Sequence, residues 1–327
     1  FDEEKNIRWA RQLERAGVNV VYGSLGYKTH CKMCLVMRQE GEKVKKYLHL
    51  STGNYNSETA RTYTDISLFT TDNSLSQDIL CLFNILTGDP LVGVDHAHGH
   101  KEIMSRFSTL QVSPFGLREF LLFQIERVIS AKKKNAKSSA KIVVKINHLL
   151  DEQLISALYR ASQQGVCIEL IVRGTCGLRP QVKGVSDNIV VRSIIDRFLE
   201  HSRIFWFSAS EFDDLYLSSA DWMPRNMDRR IEIAYPVLDK QIKQRIIEEI
   251  IETNFEDNSK AYFLKSDGEY QKKPIKPPSQ EISAQRKFIK MARKGGVKSL
   301  PYEEALFFDY KKRKRRPVAK RSPKKNR

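Results

Sequence analysis

The chain has 327 residues, with 56 Lys or Arg against 39 Asp or Glu, and a formal net charge of +17. Eleven of those cations and no acid fall in residues 311–327, which leaves about +6 for the rest and marks the excess as a solvated cationic arm. No apolar run approaches the ~20 residues that span a bilayer, and five cysteines with no second pair for Cys31 and Cys34 speak against a disulfide framework or a zinc site.

The length favours two domains with separate cores. Phe1-Asp2-Glu3-Glu4-Lys5 runs straight into helical patterning, so the sequence reads as starting inside a longer protein. A helix over 7–16 leads to a strand over 17–22, then a strand over 28–36 that carries His30. The next strand, 47–51, closes on Thr52-Gly53-Asn54-Tyr55-Asn56. This first domain is placed at 1–90, with a connecting loop at 91–113. The loop holds Gly93 and His96-Ala97-His98-Gly99-His100, read as an exposed loop rather than a metal site.

The same order then recurs over a second domain at 114–270. A helix over 151–164 leads to a strand over 165–173, and the strand over 200–207 carries His201. The strand 215–218 closes on Ser219-Ala220-Asp221-Trp222. Residues 271–294 read as a Pro- and Lys-rich linker and one last helix near 283–294. Residues 295–327 form a basic tail in which Pro317 and Pro323 oppose helix. Helices alternating with apolar strands indicate an α/β layered sandwich in each half.

In both copies a histidine and a long cation stand two residues apart, His30 with Lys32 and His201 with Arg203. On a strand that spacing puts both side chains on one face. A neutral imidazole is a competent nucleophile toward phosphorus when nearby cations offset the charge of the transferring group. A lone His-x-Lys is usually a half-buried strand histidine between solvated lysines; the second copy at His201 turns the balance. His201 would protonate or orient the phosphate opposite the nucleophile.

The duplicated His-x-Lys followed by a small polar turn resembles the phospholipase D superfamily. That superfamily's His-x-Lys-x-x-x-x-Asp would place aspartates where Met37 and Ser208 stand, and the departure favours phosphotransfer over diester cleavage. More specifically, the segments 28–32, 51–56, 59–65, 172–174, 186–189, 199–203 and 218–223 resemble polyphosphate kinase, with the likeness running from Phe1 to about Ala292.

The resemblance implies two phospholipase D-like α/β/α sandwich domains forming one pseudo-duplicated catalytic unit. It implies reversible transfer of the ATP γ-phosphate to the end of a polyphosphate chain through a phosphohistidine at His30. Tyr63, Arg173 and His201 would contact ATP, with Lys32 and Arg203 as further phosphate-binding cations. Arg61, Arg225 and Arg230 would line a channel for the polyanion. Mg²⁺ would accompany ATP without a named protein ligand. The partners expected are ATP, ADP and inorganic polyphosphate in a homo-oligomeric, cytoplasmic protein able to associate peripherally with the inner membrane; no specific nucleic acid is expected. The family's N-terminal half has no counterpart in this sequence. Two alternatives are a phospholipase D-like phosphodiesterase or nuclease, and a non-catalytic polyanion-binding module.

Overall fold

The computed structural model describes residues 3–22, 26–87, 102–137, 139–274 and 280–294. A helix at Glu3–Arg15 is followed by strands β1 (Lys28–Thr29), β2 (Lys32–Glu40), β3 (Lys43–Ser51), β4 (Tyr63–Thr64) and β5 (Ser67–Thr70), then by a helix at Asn73–Thr87. β2, β3 and β5 pair antiparallel in a three-stranded sheet. Alternation along its strands buries Leu48, Leu50 and Leu68 on one face, against Leu75, Ile79 and Leu82 of the following helix.

The second half supplies β6 (Gln111–Ser113), β7 (Ala140–Ile146), β8 (Cys167–Val172), β9 (Ile189–Ile194) and β10 (Leu199–Glu200). It continues with β11 (Arg203–Ala209), β12 (Phe212–Ser218), β13 (Arg230–Pro236), β14 (Ala261–Leu264) and β15 (Tyr270–Lys272). These strands, less β10 but with β1 added, build a ten-stranded sheet in the order β1-β13-β12-β11-β7-β8-β9-β14-β15, with β6 alongside β13. β7, β8 and β9 run parallel, and the parallel run is why these strands read as continuous apolar stretches. Helices at Leu117–Lys134 and Glu152–Gln163 cover one face through Leu121, Ile125, Val128, Leu154 and Leu158. Asp151 caps the second helix by accepting from the Leu154 N–H.

The other face departs from the expectation of separate cores. Ile204, Leu215, Leu217, Ile231 and Ile233 of the large sheet pack in one cluster with Leu48, Leu50, Leu75, Ile79 and Leu82 of the first half. Each such fully buried side chain contributes about 1.5–3 kcal/mol, so the halves are stabilised by one another. Up to Gln285 the described residues accordingly form one compact unit.

Three local expectations are corrected. Residues 17–22 are not a strand: Val18, Val21 and Tyr22 are exposed, and no neighbouring strand takes up their backbone groups among the described residues. Residues 111–113, expected in the connecting loop, are strand β6. The strands expected over 28–36 and 200–207 are each broken at the histidine, between β1 and β2 and between β10 and β11. His96, His98 and His100, part of the linker and the basic tail lie outside the described residues. No helix among the described residues is long and apolar enough to cross a membrane.

Candidate active site

The two strand breaks are built alike. β1 runs parallel to β13, pairing Lys28 with Arg230 and Thr29 with Ile231; the N–H groups of both His30 and Cys31 then donate to the Ile231 carbonyl. β10 runs parallel to β4, pairing Leu199 with Tyr63 and Glu200 with Thr64; the N–H groups of His201 and Ser202 both donate to the Thr64 carbonyl. Two successive donors on one acceptor are the mark of a β-bulge, which re-aims a side chain. Here the re-aimed side chains are the two histidines.

In each copy the residue after the shared carbonyl is the carboxylate that meets the histidine. His30 Nδ1 lies 2.8 Å from Glu232 Oε2, and His201 Nδ1 lies 2.8 Å from Asp65 Oδ1. The pairs are crossed, since each histidine comes from one half and its carboxylate from the other. The turns that carry the carboxylates are duplicated too. The Thr52 hydroxyl donates to Asp65 (2.8 Å) and accepts from the Ile66 N–H; the Ser219 hydroxyl donates to Glu232 (2.6 Å) and accepts from the Ile233 N–H. Asn226 Nδ2 donates to the other Glu232 oxygen at 2.5 Å. The backbone at Gly53 presses so closely on Asp65 that a Cβ there would stand 1.9 Å from a carboxylate oxygen, so only glycine fits.

A carboxylate on Nδ1 fixes the tautomer with the proton on that nitrogen; at His30 this leaves the Nε2 lone pair available, whereas at His201 Nε2 accepts from Arg203 at 3.0 Å. Burial lowers the pKa of His30 below its ordinary value, and Lys32 and Arg230 add to this against the opposing pull of Glu232. His201 is lowered in the same direction, again first by burial and then by Arg203, against Asp65. Both rings are therefore neutral at neutral pH. Burial also brings Lys32 down to about 8 and pushes the Cys31 thiol up to about 12, which makes that thiol inert.

The long cations two residues on play parallel parts. Lys32 donates its ammonium to the His30 carbonyl, and Arg203 donates to the His201 carbonyl at 2.9 Å. Arg203 was expected as a phosphate-binding cation. It is buried, with its guanidinium committed to Asp221 (3.2 Å), the Thr52 carbonyl (3.1 Å) and the His201 ring. These bonds hold His201 in place. Asp221 stays ionised because Arg203 and Asn147 outweigh the effect of its burial.

The other expected residues divide. The Tyr63 ring centroid lies 4.8 Å from that of His201. Tyr63 and Arg173 line one cleft of about 390 Å³ with Arg197, Phe198 and Glu200. Arg173 Nε donates to Asn147 Oδ1, and Asn147 Nδ2 donates to the His201 carbonyl, so Arg173 is tied to the site. Arg230 stands 3.9 Å from Glu232. Arg61 is exposed at the end of the turn Thr59–Arg61, and Arg225 is exposed on the short helix Pro224–Asp228 that also carries Asn226. The sequence reading assigned no role to Asp65, Glu232, Ser219 or Asn226.

Residues 1–90 match the family model for polyphosphate kinase C-terminal domain 1, and residues 110–285 match that for C-terminal domain 2. The chain is 46% identical over 272 residues to a polyphosphate kinase of Xylella fastidiosa, covering 83% of this chain and 37% of that protein. It is 45% identical over 278 residues to a polyphosphate kinase of Mycobacterium leprae, covering 84% and 36%. A crystal structure of polyphosphate kinase from Porphyromonas gingivalis superposes with a TM-score of 0.77 at 36% identity, covering 89% of this chain and 42% of that one. The chain thus spans well under half the length of these relatives.

Proposed function

The chain belongs to the polyphosphate kinase family, and from that premise we propose that it carries reversible transfer of the ATP γ-phosphate to the end of a polyphosphate chain through a phosphohistidine at His30. The observation that carries this reading is the crossed pair of histidine–carboxylate dyads, His30 with Glu232 and His201 with Asp65.

The chemistry follows from the tautomer. With its Nδ1 proton held by Glu232, His30 attacks the γ-phosphorus through Nε2; the P–N bond forms as the bond to the ADP oxygen breaks, and ADP leaves with the electron pair. A terminal phosphate oxygen of the polyphosphate chain then attacks the phosphoryl group, the P–N bond breaks, and neutral His30 returns. His201, held by Asp65 and Arg203, faces the phosphoryl group from the opposite copy and donates to its oxygens from Nε2 once it takes up a proton there, while Lys32 and Arg230 offset their charge. Tyr63 and Arg173 hold the nucleotide at their shared cleft. Among the described residues no cluster of three or more His, Cys, Asp or Glu could hold a metal ion. Mg²⁺ is proposed to arrive on the phosphates of ATP, as it commonly does.

The absence of aspartates at Met37 and Ser208 separates this reading from a phosphodiesterase. The test is incubation with γ-labelled ATP. Acid-labile, base-stable label should appear on the chain and vanish in His30→Ala; unchanged labelling in that variant overturns the phosphohistidine.

A further inference from the structure

His148 belongs to no motif discussed so far, yet it stands at the same end of the large sheet. It follows Asn147, which bonds Arg173, Asp221 and the His201 carbonyl. Its ring packs on Gly174, where a Cβ would lie 2.7 Å from the imidazole Cε1, so any larger residue would displace it. The Thr175 N–H donates to its Nδ1 at 3.2 Å, and its carbonyl accepts from the Trp222 N–H. A neutral imidazole that accepts at Nδ1 carries its proton on Nε2. The half-buried ring therefore offers one fixed N–H donor.

The surroundings select an anion. Burial opposes protonation of His148 first; Asp221 favours it, and Arg173, Arg225 and Arg203 lie near enough to oppose it further. Asp221 is already paired with Arg203. Arg173 and Arg225 make no ion pair among the described residues. Two unneutralised guanidiniums beside a fixed imidazole donor suit successive phosphate groups. His148 is not part of the cleft that Tyr63 and Arg173 line, so it extends the anion-binding surface beyond the place assigned to the nucleotide.

We infer that His148, with Arg225, binds an internal phosphate of an inorganic polyphosphate chain through its Nε2–H, next to the cleft where Arg173 holds the nucleotide. The inference rests on the polyphosphate reading above. It also has a signature that a packing role lacks. A polyanion offsets the arginines that add to the opposition to protonation, so binding should draw a proton onto Nδ1 of this ring in exchange for the 3.2 Å hydrogen bond from Thr175.

The test is calorimetric titration of the full chain with medium-length inorganic polyphosphate, and separately with ATP, near pH 6.5 in buffers of different ionisation enthalpy. The parent chain should take up a proton with polyphosphate. His148→Ala should weaken polyphosphate binding roughly tenfold, weaken ATP binding less, and abolish the proton uptake. His148→Gln, which keeps an N–H donor, should recover affinity but not proton uptake. If the Ala variant melts early, proton uptake in the Gln variant decides. The inference is overturned if proton uptake persists in either variant, if the two ligands lose affinity alike, or if the parent chain does not bind polyphosphate. Polyphosphate binding through His148 in a chain that takes no label at His30 would leave this site standing and sink the phosphohistidine alone.

Discussion

Nδ1 of His30 meets Glu232 Oε2 at 2.8 Å across 202 residues of chain, and the fold brings them together by pairing β1 with β13. Glu232 is fully buried and accepts from three donors: His30, Ser219 and Asn226. Glu232→Gln cannot satisfy all three, since its amide nitrogen must face one of them. If that nitrogen faces His30, the proton moves to Nε2 and the lone pair needed for attack is lost. Loss of the tautomer in a comparable His–carboxylate pair costs about 10⁴ in rate. The expected outcome is labelling of His30 slowed by about 10²–10⁴ with the melting transition still cooperative. Labelling at the parent rate would sink the assignment of Glu232.

The pH profile of labelling should follow His30. Its pKa lies below the ordinary 6.5 because the ring is buried, with Lys32 and Arg230 adding to the effect. The neutral nucleophile therefore survives to below pH 6.5, and the acidic limb of kcat/KM for ATP falls there. Arg230→Gln removes one opposing cation, so the limb should move to higher pH. The same depression makes the folded state bind fewer protons than the unfolded one. The stability contributed by this group is present above about pH 6.5 and lost as pH falls.

Lys32 gives the other limb. Burial brings its pKa down to about 8, so its charge is lost as pH rises through that value, within the range where enzymes are assayed. If Lys32 offsets phosphoryl charge, kcat/KM for ATP should decline above about pH 8 in the free chain. Lys32→Arg, which keeps its charge, should remove that decline while lowering the plateau through its different reach. A decline that persists in the Arg variant would assign the limb to another group.

These residues also show where sequence reading reaches and where it stops. His30 and His201 were legible because the His-x-cation pattern occurs twice, and the turns 51–54 and 218–221 because small polar residues follow each strand. Glu232 left a trace, as a charge on the alternating strand Arg230-Ile231-Glu232-Ile233-Ala234, yet nothing local says that its partner is 202 residues away. Asp65 lay within a matched segment, but its pairing with His201 depends on β10 joining β4 across the two halves. The bulges were illegible for a related reason. A strand pattern records which faces are apolar, whereas a bulge is set by two donors sharing one distant carbonyl. The same blindness to long-range pairing produced the expectation of two separate cores.

The last prediction concerns the support beneath His201. Glu200 and Lys145 form an ion pair at 2.9 Å with both side chains 2% exposed. Glu200 also accepts from Gln285 at 2.7 Å and from the Thr64 hydroxyl, and Lys145 donates to Ser202. Burial alone would raise the Glu200 pKa, but Lys145, Gln285 and Thr64 together hold it below its ordinary 4.5. Its stabilising contribution is therefore present above about pH 4.5 and lost as pH falls through the lower folded value. Glu200→Gln leaves the Lys145 ammonium buried and uncompensated, which costs about 3–5 kcal/mol. The double variant Lys145→Met/Glu200→Leu removes both charges and should cost much less than the single change. Urea unfolding of the single and double variants measures the difference. A Glu200→Gln chain as stable as the parent would mean that Lys145 finds another partner, and that His201 stands on different ground.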